Sequence, residues 1–250
     1  MRLIIVSGLS GSGKSVALNV LEDLGYYCID NIPVALVQSF VNEILPRKDS
    51  AYDFVALGLD ARNVPDLVEL PQLIRELRRR RISCELVFLQ ADDDVLLSRF
   101  SETRRKHPLT GHGLGLVEAL AAERELLSPI VDMADLIIDT SKTTVYELRD
   151  QIRDRVGGRK ADSLSILVES FGYKHGLPAE ADFVFDVRCL PNPYWEPTLR
   201  HLCGKDEPVR EFLRAAPAVG EMVEHIVAFL DHWIPYYQNF QRPYLTIAIG

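Results

Sequence analysis

The residues most able to do chemistry stand near the start of the chain. Gly8-Leu9-Ser10-Gly11-Ser12-Gly13-Lys14-Ser15 fits the pattern G-x-x-x-x-G-K-[ST] at every position. Glycines carry no Cβ, so such a loop can curl its backbone N–H groups around the α- and β-phosphates of a nucleotide. Lys14 has the reach to meet the β- and γ-oxygens, and the Ser15 hydroxyl can complete a Mg²⁺ shell. The chemistry this implies is binding of a nucleoside triphosphate as its Mg²⁺ complex, followed by hydrolysis. A hydrophobic run, Leu3–Val6, precedes the loop, and a helical pattern with apolar Ala17, Leu18, Leu21 and Leu24 follows it. The phosphates would then sit at a helix N-terminus, where the dipole and open N–H groups favour anions. A glycine turn that carried Lys-Ser by accident would lack these flanks.

A loop of this kind needs a second carboxylate to hold Mg²⁺ or its water, usually at the end of a neighbouring hydrophobic strand. Asp60 ends the run Phe54–Leu59 and is the first candidate, so that Lys14, Ser15 and Asp60 form the expected catalytic set. Asp30, after Tyr27-Cys28-Ile29, is the rival; either could instead be a turn or helix-cap residue. Arg99, Arg104, Arg105, Lys106 and His107 follow a strand and a helix start, where a lid of guanidinium groups could clamp phosphates. The alternative is a solvated helix face. The run Arg78–Arg81 ends a helix before a strand, and the helix dipole accounts for cations there.

The elements that must position these residues alternate. Strand candidates Leu3–Val6, Tyr27–Ile29, Phe54–Leu59, Glu85–Leu89 and Leu136–Ile138 are separated by helical patterns, and Tyr146–Val156 closes the series as a helix. That order predicts an α/β fold with a parallel sheet and helices on both faces over residues 1–156. Gly157-Gly158-Arg159-Lys160-Ala161-Asp162 reads as a linker over 157–163. A second, smaller α/β domain is expected over 164–250, with strands at Leu164–Val168, Phe183–Val187 and Tyr244–Ile249 and a helix around Val219–Trp233. Ligand crevices in open α/β sheets lie beyond strand C-termini. Because the chain stops at Gly250, directly after its last strand, that domain is expected to be incomplete and to lack a functional loop.

Composition bounds the rest. A net charge of −8 argues against a surface that coats nucleic acid nonspecifically, though not against a local basic patch. Cys28, Cys84, Cys189 and Cys203 are far apart and form no metal-ligand spacing, so reduced thiols in a cytoplasmic protein are expected, with Cys28 and Cys84 in the core. Neither a signal peptide nor a membrane span is expected from the apolar runs. The histidines make no metal motif, and Mg²⁺ carried by the nucleotide is the one metal expected.

Longer strings carry a resemblance. Gly8–Ser15 followed by Leu21–Pro33, then Asp60-Ala61-Arg62-Asn63, Thr103–Leu109, Ala134–Ser141, Glu169–Gly176, Phe185–Arg188 and Leu190–Pro193 resemble the bacterial RapZ/YvcJ family of P-loop nucleotide-binding proteins over essentially the whole chain. The resemblance implies a kinase-like P-loop domain that binds and slowly hydrolyses ATP and GTP. It places the ATP-type site at Gly8–Ser15 and a guanine-nucleotide segment at Asp60, Ala61, Arg62 and Asn63. Some relatives use the second domain to present a small regulatory RNA to a ribonuclease, controlling amino-sugar synthesis. The family pattern continues beyond Gly250 with a Cys-Thr-Gly-Gly-x-His-Arg-Ser loop and a basic tail, and Tyr194 stands where the RNA adapters carry His. Lys174, His175, Asp186 and Arg188 could form an anion site near strand ends, for instance for a sugar phosphate, or could be paired charges that support the domain. A homo-oligomer is also expected. Three functions compete: a nucleotide-hydrolysing regulator, a small-molecule kinase, and an RNA adapter with a regulatory P-loop.

Overall fold

The structure, a computed structural model, describes residues 1–44, 52–59, 69–112, 114–157, 164–178, 181–239 and 244–250. The chain forms two units, Met1–Ser163 and Leu164–Gly250.

In the first unit β1 (Arg2–Gly8), β2 (Tyr27–Ile29), β3 (Phe54–Gly58), β4 (Ser83–Gln90) and β5 (Leu136–Asp139) make one parallel sheet in the order β2-β3-β1-β4-β5. The central strand β1 is buried along its whole length. Its sequence is a continuous apolar run because helices cover both faces, leaving no wet side to encode by alternation. The helices are α1 (Lys14–Asp23), α2 (Val34–Ile44), α3 (Leu70–Arg79), α4 (Asp93–Thr103), α5 (Leu116–Val131) and α6 (Val145–Gln151). On one face Leu3, Ile5, Leu57 and Phe88 pack with Val37, Leu73, Leu96, Leu120 and Leu127 of α2 to α5. On the other, α1 packs on β1, β3 and α6. A π-type turn, Ile152–Gly157, extends α6.

A buried ion pair crosses this sheet. Arg2 donates through Nε and Nη2 to Glu85 (3.0 and 3.2 Å), through Nη1 to the Tyr26 hydroxyl (2.8 Å), and through Nη2 to the Val156 carbonyl (2.7 Å). A guanidinium at 4% exposure is tolerable only when its donors are met in this way. Arg78 and Arg80, in the last turn of α3 and just past it, reach Asp135 (2.7 Å) and Asn42 (2.6 Å) and have local partners besides the dipole. Cys84 is buried, which pushes its thiol up to about 12. Cys28 is only half-buried, less of a core residue than its sequence context predicts.

The second unit has a parallel sheet β6 (Ser165–Ser170), β8 (Tyr244–Ile249), β7 (Phe183–Phe185) with β8 in the middle. Two helices follow β7, α7 (Glu207–Arg214) and α8 (Pro217–Asn239). The Phe229 and Tyr237 rings of α8 meet Phe183 edge-on at 5.4 and 5.5 Å. Pro217 can open α8 ahead of the expected start because a first-turn residue needs no N–H partner. β7 ends at Phe185, short of the expected Val187, although the Val187 N–H still donates to the Gly250 carbonyl (2.8 Å); beyond it the Asp186 carboxylate accepts the Arg188 N–H (3.0 Å).

The chain therefore has the expected α/β architecture, a parallel sheet with helices on both faces and a smaller α/β unit. Of the linker expected over 157–163, Gly157 ends the π-type turn and residues 158–163 lie outside the described residues. Among the described residues, no helix is long and apolar enough to cross a membrane.

Candidate functional site

The loop Gly8–Ser15 joins the C-terminal end of the central strand to α1. A Cβ on Gly8 would lie 2.2 Å from the Leu89 carbonyl oxygen of β4, so only glycine lets the two strands run this close. The next amide, Leu9 N–H, donates to that same carbonyl (3.0 Å), and Ser12 N–H donates to the Leu9 carbonyl (3.0 Å), closing the turn. Gly13 caps α1 in the left-handed region (φ 107°), with no side-chain cap in front of the helix. The first-turn amides of α1 thus have no intrahelical acceptor and face the loop. Lys14 Nζ donates to the carbonyls of Gly8 (2.6 Å) and Leu9 (3.2 Å), which brings its ammonium back against the loop. Ser15 is exposed at the second position of α1.

The loop is braced from beneath. Arg99 Nη1 donates to the Gly11 carbonyl (3.0 Å) and to Thr140 Oγ1 (3.0 Å), while Nη2 donates to the Thr140 carbonyl (2.7 Å). The buried Thr140 hydroxyl lies 3.0 Å from the Ser12 carbonyl and 3.1 Å from the Gln90 carbonyl. The arginines that the sequence groups as a lid therefore separate. Arg99 holds loop carbonyls, whereas Arg104 and Arg105 are exposed just beyond α4. Arg104 reverses the chain in a left-handed conformation (φ 51°) and donates its N–H to the Phe100 carbonyl (2.9 Å).

A second support is invisible in any local motif. Glu123 of α5, with no exposed surface, accepts from the Ser10 N–H (2.8 Å), the Ser10 hydroxyl (2.6 Å) and the His107 Nε2 (3.1 Å). The signal that could have found it is its position: it interrupts the inward stripe Ala119, Leu120, Leu127 and Ile130 of α5.

Of the two carboxylates proposed for Mg²⁺, Asp30 follows β2 and is exposed, its Oδ1 lying 2.6 Å from where a Cβ on Gly58 would stand. Asp60, Ala61, Arg62 and Asn63 lie outside the described residues. Among the described residues no group of His, Cys, Asp and Glu could by itself hold a metal ion.

In the second unit Asp186 and Arg188 come together directly after β7. Arg188 donates through Nε and Nη2 to the two carboxylate oxygens (2.9 and 2.6 Å), and its guanidinium lies 3.7 Å over the Tyr173 ring. Arg188's hydrogen bonds, side chain first, hold the Asp186 carboxyl down at about 2, and Asp186 in turn raises Arg188. Much of the guanidinium fork is thus directed at a neighbour rather than outward. Lys174 and His175 share a short turn with Tyr173, and Lys174 is exposed. Of the four charges named there, Asp186 and Arg188 pair with each other.

Compared with known proteins, the model of the RapZ-like N-terminal domain matches residues 1–160, and that of the RapZ C-terminal domain matches residues 164–250. The chain belongs to the RapZ-like family. A nucleotide-binding protein of Hahella chejuensis is 49% identical over 251 residues, spanning all of this chain and 88% of the relative. A nucleotide-binding protein of Pseudomonas putida is 51% identical with the same coverage. Among solved structures, a shikimate kinase from Bacteroides thetaiotaomicron aligns with 61% of this chain and 94% of its own at 16% identity and a TM-score of 0.42.

Proposed function

We propose that this member of the RapZ-like family binds a nucleoside triphosphate with Mg²⁺ through Gly8–Ser15 and hydrolyses it slowly, as a switch for its second unit. The observation that carries the reading is the loop itself: glycines where a Cβ would strike backbone or Leu148, an uncapped helix start, and the Lys14 ammonium held against the loop carbonyls. The printed name of its relatives, nucleotide-binding protein, agrees with it.

Each residue then has a role. First-turn amides of α1 and the Lys14 ammonium receive the phosphate oxygens. Ser15, exposed at the second helical position, offers a hydroxyl to Mg²⁺, and Asp60 or Asp30 supplies the carboxylate that holds the ion or its water. When bound there, Mg²⁺ would supply neutralisation of phosphate charge. Arg104 and Arg105 are free of the brace that holds Arg99 and would meet the outer phosphate. Cleavage by water needs no protein nucleophile. The kinase reading shares this whole site and differs only in the acceptor, while the RNA-adapter reading rests on the family resemblance.

The test is binding and hydrolysis of ATP and GTP by wild type and Lys14→Ala. Loss of the charged donor should weaken triphosphate binding about a hundredfold or more and remove turnover. Undiminished affinity in Lys14→Ala refutes the phosphate cradle. Asp60→Asn should lower Mg²⁺-dependent hydrolysis more than binding; the same result in Asp30→Asn instead would transfer the role to Asp30. Turnover strongly raised by one small metabolite would select the kinase.

A further inference from the structure

Glu123 poses a physical question that nucleotide binding by itself does not answer. A carboxylate with no exposed surface sits behind the loop against Ser10 and His107, where an apolar residue would complete the stripe of α5 at lower cost. Its donors reveal what it joins. Two come from Ser10, inside the loop, and one from His107, the end of the basic segment. The Leu109 N–H donates to His107 Nδ1 (3.2 Å), so Nδ1 carries the lone pair and the ring proton is on Nε2, pointing at Glu123. His107 is thereby held in one orientation, Nε2 toward Glu123 and Nδ1 toward the Leu109 N–H, 2% exposed.

The other end of the segment is anchored too. Phe100 lies against His107 (ring centroids 5.3 Å), and its ring is 3.5 Å from where a Cβ on Gly11 would stand. Phe100 and His107 are thus both seated on consecutive loop residues, Gly11 and Ser10 (the latter through Glu123), and Arg104, Arg105 and Lys106 are the exposed excursion between them. A chain spans at most about 3.6 Å per residue, so the Arg105 Cα stays within about 7 Å of the His107 Cα.

Building on the nucleotide reading above, we infer that Glu123 and His107 are positioning residues that tie the cations Arg104–Lys106 to the phosphate loop, so that loop shape and recognition of the outermost phosphate are set together. Neither residue touches the nucleotide. The pin also directs the Ser10 amide to Glu123, leaving phosphate recognition to amides further along the loop.

The experiment measures dissociation constants for fluorescent ATP and ADP analogues with Mg²⁺. His107→Leu should weaken ATP about tenfold and ADP less than about threefold, because the cations it presents act on the terminal phosphate. His107→Gln, whose side-chain N–H₂ can replace the Nε2 donor, should restore most of the difference. In an Arg104→Ala/Arg105→Ala background the same His107→Leu change should have little further effect, since its lever is gone. Equal losses for ATP and ADP, or a tenfold loss in both backgrounds, would show a purely structural role and overturn the inference. If His107→Leu does not fold, Ser10→Ala removes one donor to Glu123 and should shift ATP over ADP preference about threefold; an unchanged preference overturns it as well. Absence of ATP binding by wild type would refute the nucleotide reading and this inference with it, whereas wild-type binding with unaltered preference in folded variants refutes the tether alone.

Discussion

Each unit of the chain ends its parallel strands in a rim that carries charged side chains, yet the two rims are built differently. At the rim of the first sheet the ionic groups lie under the loop: Arg99 is partly buried against the carbonyls of Gly11 and Thr140, and Glu123 is enclosed with Ser10 and His107. At the rim of the second, Asp186 and Arg188 grip each other in the open, across two residues of the same turn. Buried groups with long-range partners hold a backbone shape, because any displacement strands a desolvated donor or acceptor. An exposed pair between sequence neighbours, even with the Tyr173 ring beside it, is screened by solvent and holds its surroundings less firmly. The first rim is thus a preorganised site, and the second is a local brace.

Three changes would sharpen or break that contrast. The largest effect is expected from Gly8→Ala, where the new methyl meets β4 backbone at 2.2 Å and neither strand can yield. Its cost should be at least about 3 kcal/mol of stability in urea unfolding, with nucleotide binding lost. Wild-type stability in this variant would mean that the strands at the loop are not rigidly paired. Thr140→Val keeps the shape but removes the hydroxyl between the Ser12 and Gln90 carbonyls, and should cost about 1–3 kcal/mol with a matching fall in affinity for ATP. An affinity unchanged by Thr140→Val would reduce the brace to packing.

The smallest effect belongs to the second rim. Asp186 has its proton affinity depressed from 3.8 to about 2, so the pair contributes above the ordinary carboxylate value and its contribution is lost as pH falls through about 2. A carboxyl ¹³C titration should find its midpoint near 2, returning toward 3.8 in Arg188→Ala, with ATP affinity untouched. A change in ATP affinity in that variant would break the contrast.

What could be read from residues alone follows the same division. The loop Gly8–Ser15 is contiguous and flanked by its own strand and helix, so local pattern sufficed. The strands of both sheets were legible as apolar runs, with ends displaced by one or two residues. The brace was not legible. Arg99 meets Gly11 across 88 positions, and Glu123 meets Ser10 across 113, distances over which spacing carries no information. Arg99 therefore joined Arg104 and Arg105 as one basic cluster, although folding turns it inward. Glu123 left a trace, a carboxylate on the apolar stripe of a helix, but a trace without a partner names no role.

The grip of Arg2 on Val156 has a consequence during synthesis. The strand that ends in the phosphate loop is made before the other strands of its sheet, yet it lies at the centre and depends on β3, β4 and a carbonyl 154 positions downstream. Such distant pairings close late, because the chain between them must be gathered before they reward it. A nascent chain halted before Val156 would carry every residue of the loop but lack the clasp behind it. The phosphate loop, made before the rest of the sheet that surrounds it, is thus among the last parts of this unit to be completed.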